Sequence, residues 1–450
     1  MSPQTRGMLL AGRHIDLFEL GKNLEMNRLL GVSEHLRWLL DQRWSFNFTL
    51  NARVRGAITV QQLTDALTWV QRRHPLLAVR IATEDGQPPR FVSEGVANIP
   101  LRVVKRQGDE HWCQEAEAEL SLPFSWNSGP LLRVVFLQGA VVSELIITCH
   151  HSIGDGLSAL YLLRDILLEI STPGTTREIL PELPSWEELI FLSQGNISHN
   201  AIAAVAPTQQ KIGVSDADIV LNRVSDQEAI SGNKRSSILH WCLSPEETAM
   251  LVSRCSEKQS SVQGAICAAF LLSMAEEMNS SEDAIHKCVS PCNVRNYLVP
   301  AIGEDFGLYI SGLFTSHTLK PETSFWGLAQ EVKHQINDLI VPEKIFQYIR
   351  PTKAFLSTQP DPQMVYQQMA QKGDLCVTNL GRLNIPQQFG SLSLEAIYGP
   401  IVQSSENIKI VSVATLGGKI FFTFTFSESV LSRSLAEKIK AGAMQRIAVG

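Results

Sequence analysis

Three things are scarce in this chain of 450 residues, and each closes off a class of protein. No apolar run reaches the ~18 residues that a membrane-spanning helix needs. The opening run Met1-Ser2-Pro3-Gln4-Thr5-Arg6-Gly7-Met8-Leu9-Leu10-Ala11-Gly12-Arg13 holds only a short apolar patch, too small for the core of a secretory signal. A basic excess is also missing. Lys and Arg number 39 against 45 Asp and Glu, a net charge of −6, so nucleic acid is not an expected partner. Cysteine is thin and scattered: there are eight, the closest pair is Cys288 and Cys292, and no CxxC occurs. That excludes a disulfide framework and leads us to expect reduced thiols in a cytoplasmic protein. The sequons at Asn47-Phe48-Thr49 and Asn196-Ile197-Ser198 then carry no glycan. No metal site is expected, because His150 and His151 are adjacent rather than on one helical face and no HExxH appears.

What remains is a globular composition, 44% hydrophobic and 19% charged, enough for one large core or two lobes of about 200 residues each. One stretch organises it: Leu145-Ile146-Ile147-Thr148-Cys149-His150-His151-Ser152-Ile153-Gly154-Asp155-Gly156. The segment from Val141 to Thr148 is short, β-branched and almost uncharged, so it reads as a buried strand. After Gly156 the apolar spacing through Leu167 is helical. The histidines therefore sit where a strand stops and a loop leads into a helix. Neighbours in a strand point to opposite faces, so His150 and His151 should not share one role.

That placement suits general base catalysis, since a histidine takes a proton near neutral pH. Gly156 allows close approach of the backbone to a ligand, and its N–H can face a developing oxyanion. Asp155 has two readings: it orients His151, or it pairs with a distant Arg and holds the loop. The plainer alternative for the whole stretch is a pair of core histidines beside an Asp-Gly turn.

His150-His151-Ser152-Ile153-Gly154-Asp155-Gly156 resembles the HHxxxDG signature of a superfamily of acyltransferases. It includes chloramphenicol acetyltransferase, plant BAHD acyltransferases, nonribosomal peptide condensation domains and phthiocerol dimycocerosyl transferases. Two further stretches carry the resemblance. Arg73-His74-Pro75-Leu76-Leu77-Ala78-Val79-Arg80 resembles the RHxxLR-type segment early in condensation domains; His74 reads as structural, at a helix end where it can cap carbonyls. Cys376-Val377-Thr378-Asn379-Leu380-Gly381 resembles the S-N-x-G segment of dimycocerosyl transferase-like proteins, with Thr378 keeping the hydroxyl of the usual Ser.

The remaining elements follow from local pattern. Ser33 is the expected N-cap of a helix through Asp41, and Phe46 to Val54 a strand. Thr59 caps an amphipathic helix to His74, with Leu63, Ala66, Leu67 and Val70 on one stripe, and Leu76 to Ile81 is expected as a strand. Leu131 to Gln138 and Val141 to Thr148 form a hairpin about Gly139-Ala140. Ser244-Pro245-Glu246-Glu247 opens a helix, and a further buried helix follows Ser261. Gly303 to Phe314 reads as a glycine-rich segment running into a strand. Phe325 to Leu339 and Ser432 to Arg446 read as helices, and Ile408 to Leu416 with Lys419 to Phe426 as a hairpin about Gly417-Gly418.

The resemblance implies an α/β (α+β) fold: two chloramphenicol acetyltransferase-like lobes, each a mixed sheet with helices, forming a pseudo-dimer with an active-site tunnel between them. We divide the chain into an N-terminal extension (1–26), an N-terminal lobe with the motif (27–172), a linker (173–235) and a C-terminal lobe (236–450). The resemblance makes His151 the general base, with Gly156 beside it, and His150 a support of the loop. It pairs Asp155 with Arg295 as a bridge between lobes; the alternative for Arg295 is an exposed turn. It places Thr378 or Asn379 against substrate, the alternative being a structural turn. No bound cofactor is implied. Acyl-CoA or an acyl chain on a phosphopantetheine carrier protein is the donor, and an alcohol or amine the acceptor. A monomer is expected. The favoured activity is a freestanding O-acyltransferase. A freestanding condensation enzyme forming an amide in nonribosomal peptide or related secondary metabolism is the alternative, and a non-catalytic binding protein on the same fold is the alternative of another class.

Overall fold

The amphipathic run after Ile58 folds as its pattern dictates. The Thr59 hydroxyl accepts from the Gln62 N–H (3.2 Å), and the Gln62 side chain accepts from the Thr59 N–H (3.0 Å), so two orphan donors are met as the helix Val60–Arg73 begins. Leu63, Ala66, Leu67 and Val70 are buried along its inner stripe. A computed structural model of the chain describes residues 7–10, 13–16, 26–175, 178–194, 236–278, 283–299, 302–370, 373–405 and 407–449. Most of the 1–26 extension and of the 173–235 linker lies outside the described residues. Of the linker, the helix Trp186–Gln194 is seen.

In chain order the strands are β1 (Gly7–Leu10), β2 (Arg13–Asp16), β3 (Asn27–Leu29), β4 (Asn47–Arg55), β5 (Arg80–Ala82), β6 (Arg90–Val92), β7 (Leu101–Lys105), β8 (Leu132–Gln138), β9 (Val142–His150), β10 (Ser236–Leu243), β11 (Ile285–Asn293), β12 (Ile310–Thr318), β13 (Leu375–Arg382), β14 (Gln388–Phe389), β15 (Leu392–Val402), β16 (Lys409–Leu416) and β17 (Lys419–Ser427). Two mixed six-stranded sheets dominate, ordered β14-β15-β4-β9-β8-β7 and β10-β17-β16-β13-β11-β12. Helices flank both, so the architecture is the expected mixed α/β pair of lobes. One core gathers Phe48, Leu50, Phe136, Ile146 and Leu163; the other gathers Phe270, Phe422, Phe424 and Phe426. Each such side chain, fully buried, contributes about 1.5–3 kcal/mol.

Three expectations change. The helix expected to start at Ser33 begins at Val32, and the Ser33 N–H instead donates to Glu187 (2.7 Å), a partner too far along the chain to foresee. Leu76 to Ile81 is not one strand. Pro75–Ala78 forms a turn of 3₁₀ helix, because proline presets φ and the Leu77 N–H reaches the His74 carbonyl (2.9 Å); only then does β5 start. The division at residue 236 does not separate the sheets. β15 pairs antiparallel with β4 (Ile397 opposite Ala52, Ile401 opposite Thr49), and β14 follows it, so a segment of the C-terminal half completes the N-terminal sheet. β4 would otherwise expose a long edge.

Candidate active site

β9 delivers the histidines as the apolar run predicts. It is paired on both sides, with β4 and β8, and His150 is its last residue. His151 opens the turn that leads into the helix Gly156–Ser171. Asp155 is the N-cap of that helix, its carboxylate accepting from the Ser158 N–H (2.9 Å).

The two histidines have separate surroundings and opposite tautomers. His150 is fully buried. Its Nδ1 accepts from the Ser152 N–H (3.1 Å) and meets the Ser152 hydroxyl (2.7 Å), so the proton belongs on Nε2, 3.3 Å from Asp41 Oδ2. Asp41 accepts from the Phe46 N–H (2.7 Å), which sets its carboxylate beside His150 at the segment entering β4. His151 instead sets Nδ1 against the Gly154 carbonyl (3.0 Å). A carbonyl only accepts, so Nδ1 carries the proton and Nε2 keeps its lone pair. The ring stacks on Phe46 (centroids 5.4 Å apart) with Phe48 tilted against it. Burial, with the Arg37 guanidinium nearby, pushes the His151 pKa down to about 3, so the ring is neutral at pH 7.

A cavity of about 480 Å³ opens in front of His151 between the two lobes. Gly156 and Leu157 line it beside the imidazole, and Thr378 and Asn379 of β13 line it from the other sheet. His151, Gly156, Thr378 and Asn379 are thus brought together, while His150, Asp155 and Arg295 stand behind the wall. The N–H groups of Gly156 and Leu157 belong to the first helical turn, where backbone donors have no intrahelical acceptor and the helix dipole presents its positive end. Gly156 has no room for a side chain: a Cβ there would lie 2.7 Å from Pro400 Cγ and 3.0 Å from Leu380 Cδ2. Pro400 is put there by an irregularity of β15, whose register against β4 shifts between Tyr398 and Ile401, where Gly399 takes a φ of +126°. Asn379 spends its carbonyl on the Gly381 N–H (2.8 Å), the turn reading; among the described residues its amide nitrogen and the Thr378 hydroxyl donate no hydrogen bond.

Asp155 does not orient His151. Its two oxygens accept four bonds: from Arg295 Nη1 (2.9 Å), Arg295 Nη2 (3.1 Å), the Ser158 N–H and the Tyr309 N–H (2.8 Å). Arg295 is 2% exposed, which removes the exposed-turn reading; it sits just after β11, in the short helical turn Arg295–Tyr297, with Tyr309 beneath its guanidinium. Ser158 extends the link, accepting from Arg295 Nη2 (2.7 Å) and the Gly307 N–H (3.0 Å) and donating to the Gly307 carbonyl (2.6 Å). Burial alone would raise the Asp155 pKa, but Arg295 and the two backbone donors hold the carboxyl below its ordinary range. His74, expected to cap carbonyls, instead meets Asp165 Oδ2 (3.1 Å), which Arg73 also binds (2.9 Å). Asp165 lies on the helix that carries Gly156, so this cluster fixes that helix from behind.

Sequence reasoning missed Ser158, Tyr309 and Arg37. Ser158 lies two residues past the motif and Tyr309 inside the glycine-rich segment; only three-dimensional proximity makes either a partner of Asp155. Arg37 lies in a helix whose apolar stripe was legible, and no local signal distinguishes a cavity-facing arginine from a solvated one.

Comparison with known proteins agrees with this architecture. Residues 36–170 match the model of the condensation domain, and residues 232–429 match that of the phthiocerol/phthiodiolone dimycocerosyl transferase C-terminus. Phosphinothricin tripeptide synthetase PhsC of Streptomyces viridochromogenes is 30% identical over 168 residues, 34% of this chain and 15% of that synthetase. The chain thus matches only a small part of the length of such synthetases. Polyketide synthase associated protein 5 from Mycobacterium tuberculosis superposes with a TM-score of 0.64 at 16% identity, over 94% of this chain and 99% of that one. TRI3 trichothecene 15-O-acetyltransferase from Fusarium sporotrichioides superposes with a TM-score of 0.67 at 11% identity, over 94% and 95%. At these identities the structures establish the shared fold.

Proposed function

From a chain that belongs to the superfamily of condensation domains and chloramphenicol acetyltransferase-like acyltransferases, we propose a thioester-dependent acyltransferase that joins an acyl group to a hydroxyl acceptor. The observation that carries the reading is the fixed tautomer of His151. Its Nδ1–H is held by the Gly154 carbonyl, and Nε2 is left unprotonated at the wall of a cavity that Gly156 and Leu157, the first residues of a helix, also line.

The steps follow from that geometry. His151 Nε2 takes the acceptor's proton as its oxygen bonds to the thioester carbonyl carbon. The carbonyl oxygen becomes an oxyanion, which the N–H groups of Gly156 and Leu157 face, aided by the helix dipole. The intermediate collapses, the carbon–sulfur bond breaks, and the thiolate takes the proton back from Nε2. Ester and free thiol leave; no covalent enzyme intermediate is needed. A weakly basic imidazole suffices because the acceptor's proton becomes acidic only as the new bond forms. His150, hydrogen-bonded to Ser152 and lying beside Asp41, supports the turn, and the Thr378 hydroxyl offers a hydrogen bond from the opposite wall. The donor is acyl-CoA or an acyl chain on a carrier protein; the condensation-domain match over residues 36–170 supports a carrier-protein partner.

The test is thiol release from acyl-CoAs, acetyl to long chain, with alcohols and amines supplied as acceptors. Acceptor-dependent release should fall by roughly 10²–10⁴ in His151→Ala. Products formed only from amines would shift the reading to amide formation. Release that survives the substitution would refute His151 as base, and binding with no release from CoA or carrier-protein donors would leave a binding protein.

A further inference from the structure

Arg37 is the one ionised side chain lining the cavity among the described residues; the rest of the wall is apolar or neutral, with no Asp, Glu or Lys. Its Nη1 donates to the Ser33 carbonyl one turn back (3.1 Å), and its Nε is buried without a partner. Among the described residues no carboxylate lies within ion-pair distance of it. The acidic groups whose field it feels are Glu187, Asp155 and Glu34. Asp155 is saturated by Arg295, Ser158 and Tyr309. Glu34 is held by Arg28 (2.7 Å to each oxygen) and by the Gly31 N–H (2.6 Å). Glu187 gives one oxygen to the Ser33 N–H and keeps the other, Oε2, buried without a partner, which makes it the rival claimant. Burial lowers the Arg37 pKa to about 10, so it stays charged at pH 7. A desolvated cation without a counter-ion is unfavourable, and an anion from outside relieves it.

We propose that Arg37 binds a free carboxylate on the acceptor, which makes the acceptor a hydroxy acid with an apolar body rather than a neutral alcohol or a carrier-tethered chain. The inference rests on the acyl-transfer reading above. The donor does not supply this anion: its own carboxyl is consumed in the thioester, and the phosphate of a pantetheine arm lies at the far end from the reacting carbon. A carrier-tethered amino acid is excluded for the same reason, its α-carboxyl being held in the thioester to the arm. One guanidinium matches a monoanion, whereas a phosphate dianion would bring a second charge into a cavity with no second cation. Arg37 lies close enough to act on the imidazole, so a bound carboxylate would also cancel the field that opposes protonation of His151 during attack.

The test compares ω-hydroxyhexanoate and ω-hydroxydodecanoate with their methyl esters as acceptors for the acyl-CoA panel. The wild type should favour the acids by roughly 10- to 100-fold in kcat/KM, the worth of a charge-assisted pair. Arg37→Gln should abolish that preference and Arg37→Lys should retain part of it. Calorimetry on His151→Ala separates this inference from the reading beneath it. The acids should bind that variant and fail to bind His151→Ala/Arg37→Gln; if so while the wild type turns over no donor or acceptor, the anion site stands and the acyl-transfer reading falls. An acid-to-ester ratio unchanged in Arg37→Gln overturns the proposal, as does an unchanged ratio with a lowered melting temperature, the signature of a partner for Glu187. Tighter binding of dodecyl phosphate than of the carboxylates overturns the choice of carboxylate.

Discussion

Removing one side of the Asp155–Arg295 bridge tests how the site is held together. Arg295→Ala leaves the Asp155 carboxylate with only the Ser158 and Tyr309 N–H groups, 2.9 and 2.8 Å away, where the wild type adds two guanidinium bonds. Both side chains are essentially inaccessible, 3% and 1% exposed, so water does not replace the lost partner. Breaking such a pair from one side costs about 3–5 kcal/mol. At a few degrees per kcal/mol for domains somewhat smaller than this chain, the melting temperature should fall by roughly 5–15 °C. Asp155→Asn keeps the shape but turns an amide N–H toward donors and should fall in the same range. Arg295→Leu with Asp155→Leu removes both charges and should cost less than the two single changes added together. Thermal unfolding followed by tryptophan fluorescence gives the stability, and thiol release on the same samples gives the rate. Both should drop, because Gly154 and Gly156, which position His151 and the oxyanion, flank Asp155. Single variants that melt within a degree of wild type would refute the bridge as a stabilising element. Full stability with lost activity would show a role in chemistry alone.

Gly156→Ala should pack a methyl into Pro400 and Leu380, displacing the first helical turn; the fold should survive while kcat falls roughly 10- to 100-fold. Because the His151 pKa is pushed down to about 3, kcat/KM should be flat from about pH 8 to about pH 5; a decline with a midpoint near the usual ~6.5 would show an imidazole titrating as in water. Stability carries the same signature. Between about 3 and ~6.5 the unfolded chain takes up a proton at His151 that the native state refuses, so this contribution is complete above ~6.5 and is lost as pH falls through the window. Asp155 acts at the acid end: its lowered pKa adds stability above the ~3.9 of an unfolded aspartate, lost as pH falls through the native value, and Arg295→Ala should flatten that limb of the pH–stability curve.

The strand, the histidine turn and the following helix were legible because each rests on local rules: β-branched burial, an Asp N-cap and helical apolar spacing. The same holds for the capped helix Val60–Arg73 and the hairpin of β16 and β17. What the histidine tautomers are was not legible, since Gly154, Ser152 and Asp41 decide them by distances within a folded turn. Nor was the fate of residues 388–402, whose strands belong to the far sheet for reasons of edge pairing rather than pattern. The bridge partner of Asp155 came from likeness to relatives, and Ser158 and Tyr309 completed it only in three dimensions.

The insertion of β15 beside β4 has a consequence for how the protein comes into being. As the chain leaves the ribosome, β4, β8 and β9 emerge early, yet the neighbour that closes β4 and carries Pro400 over Gly156 arrives only when most of the polypeptide has been made. The half that bears the histidines therefore cannot mature first, as an N-terminal domain ordinarily does. It must wait with an open strand edge for a distant segment, a slow, non-local closure. A gene cut between the lobes would separate His151 from the strand that shapes its surroundings, so the two halves are not exchangeable modules even though each has its own core.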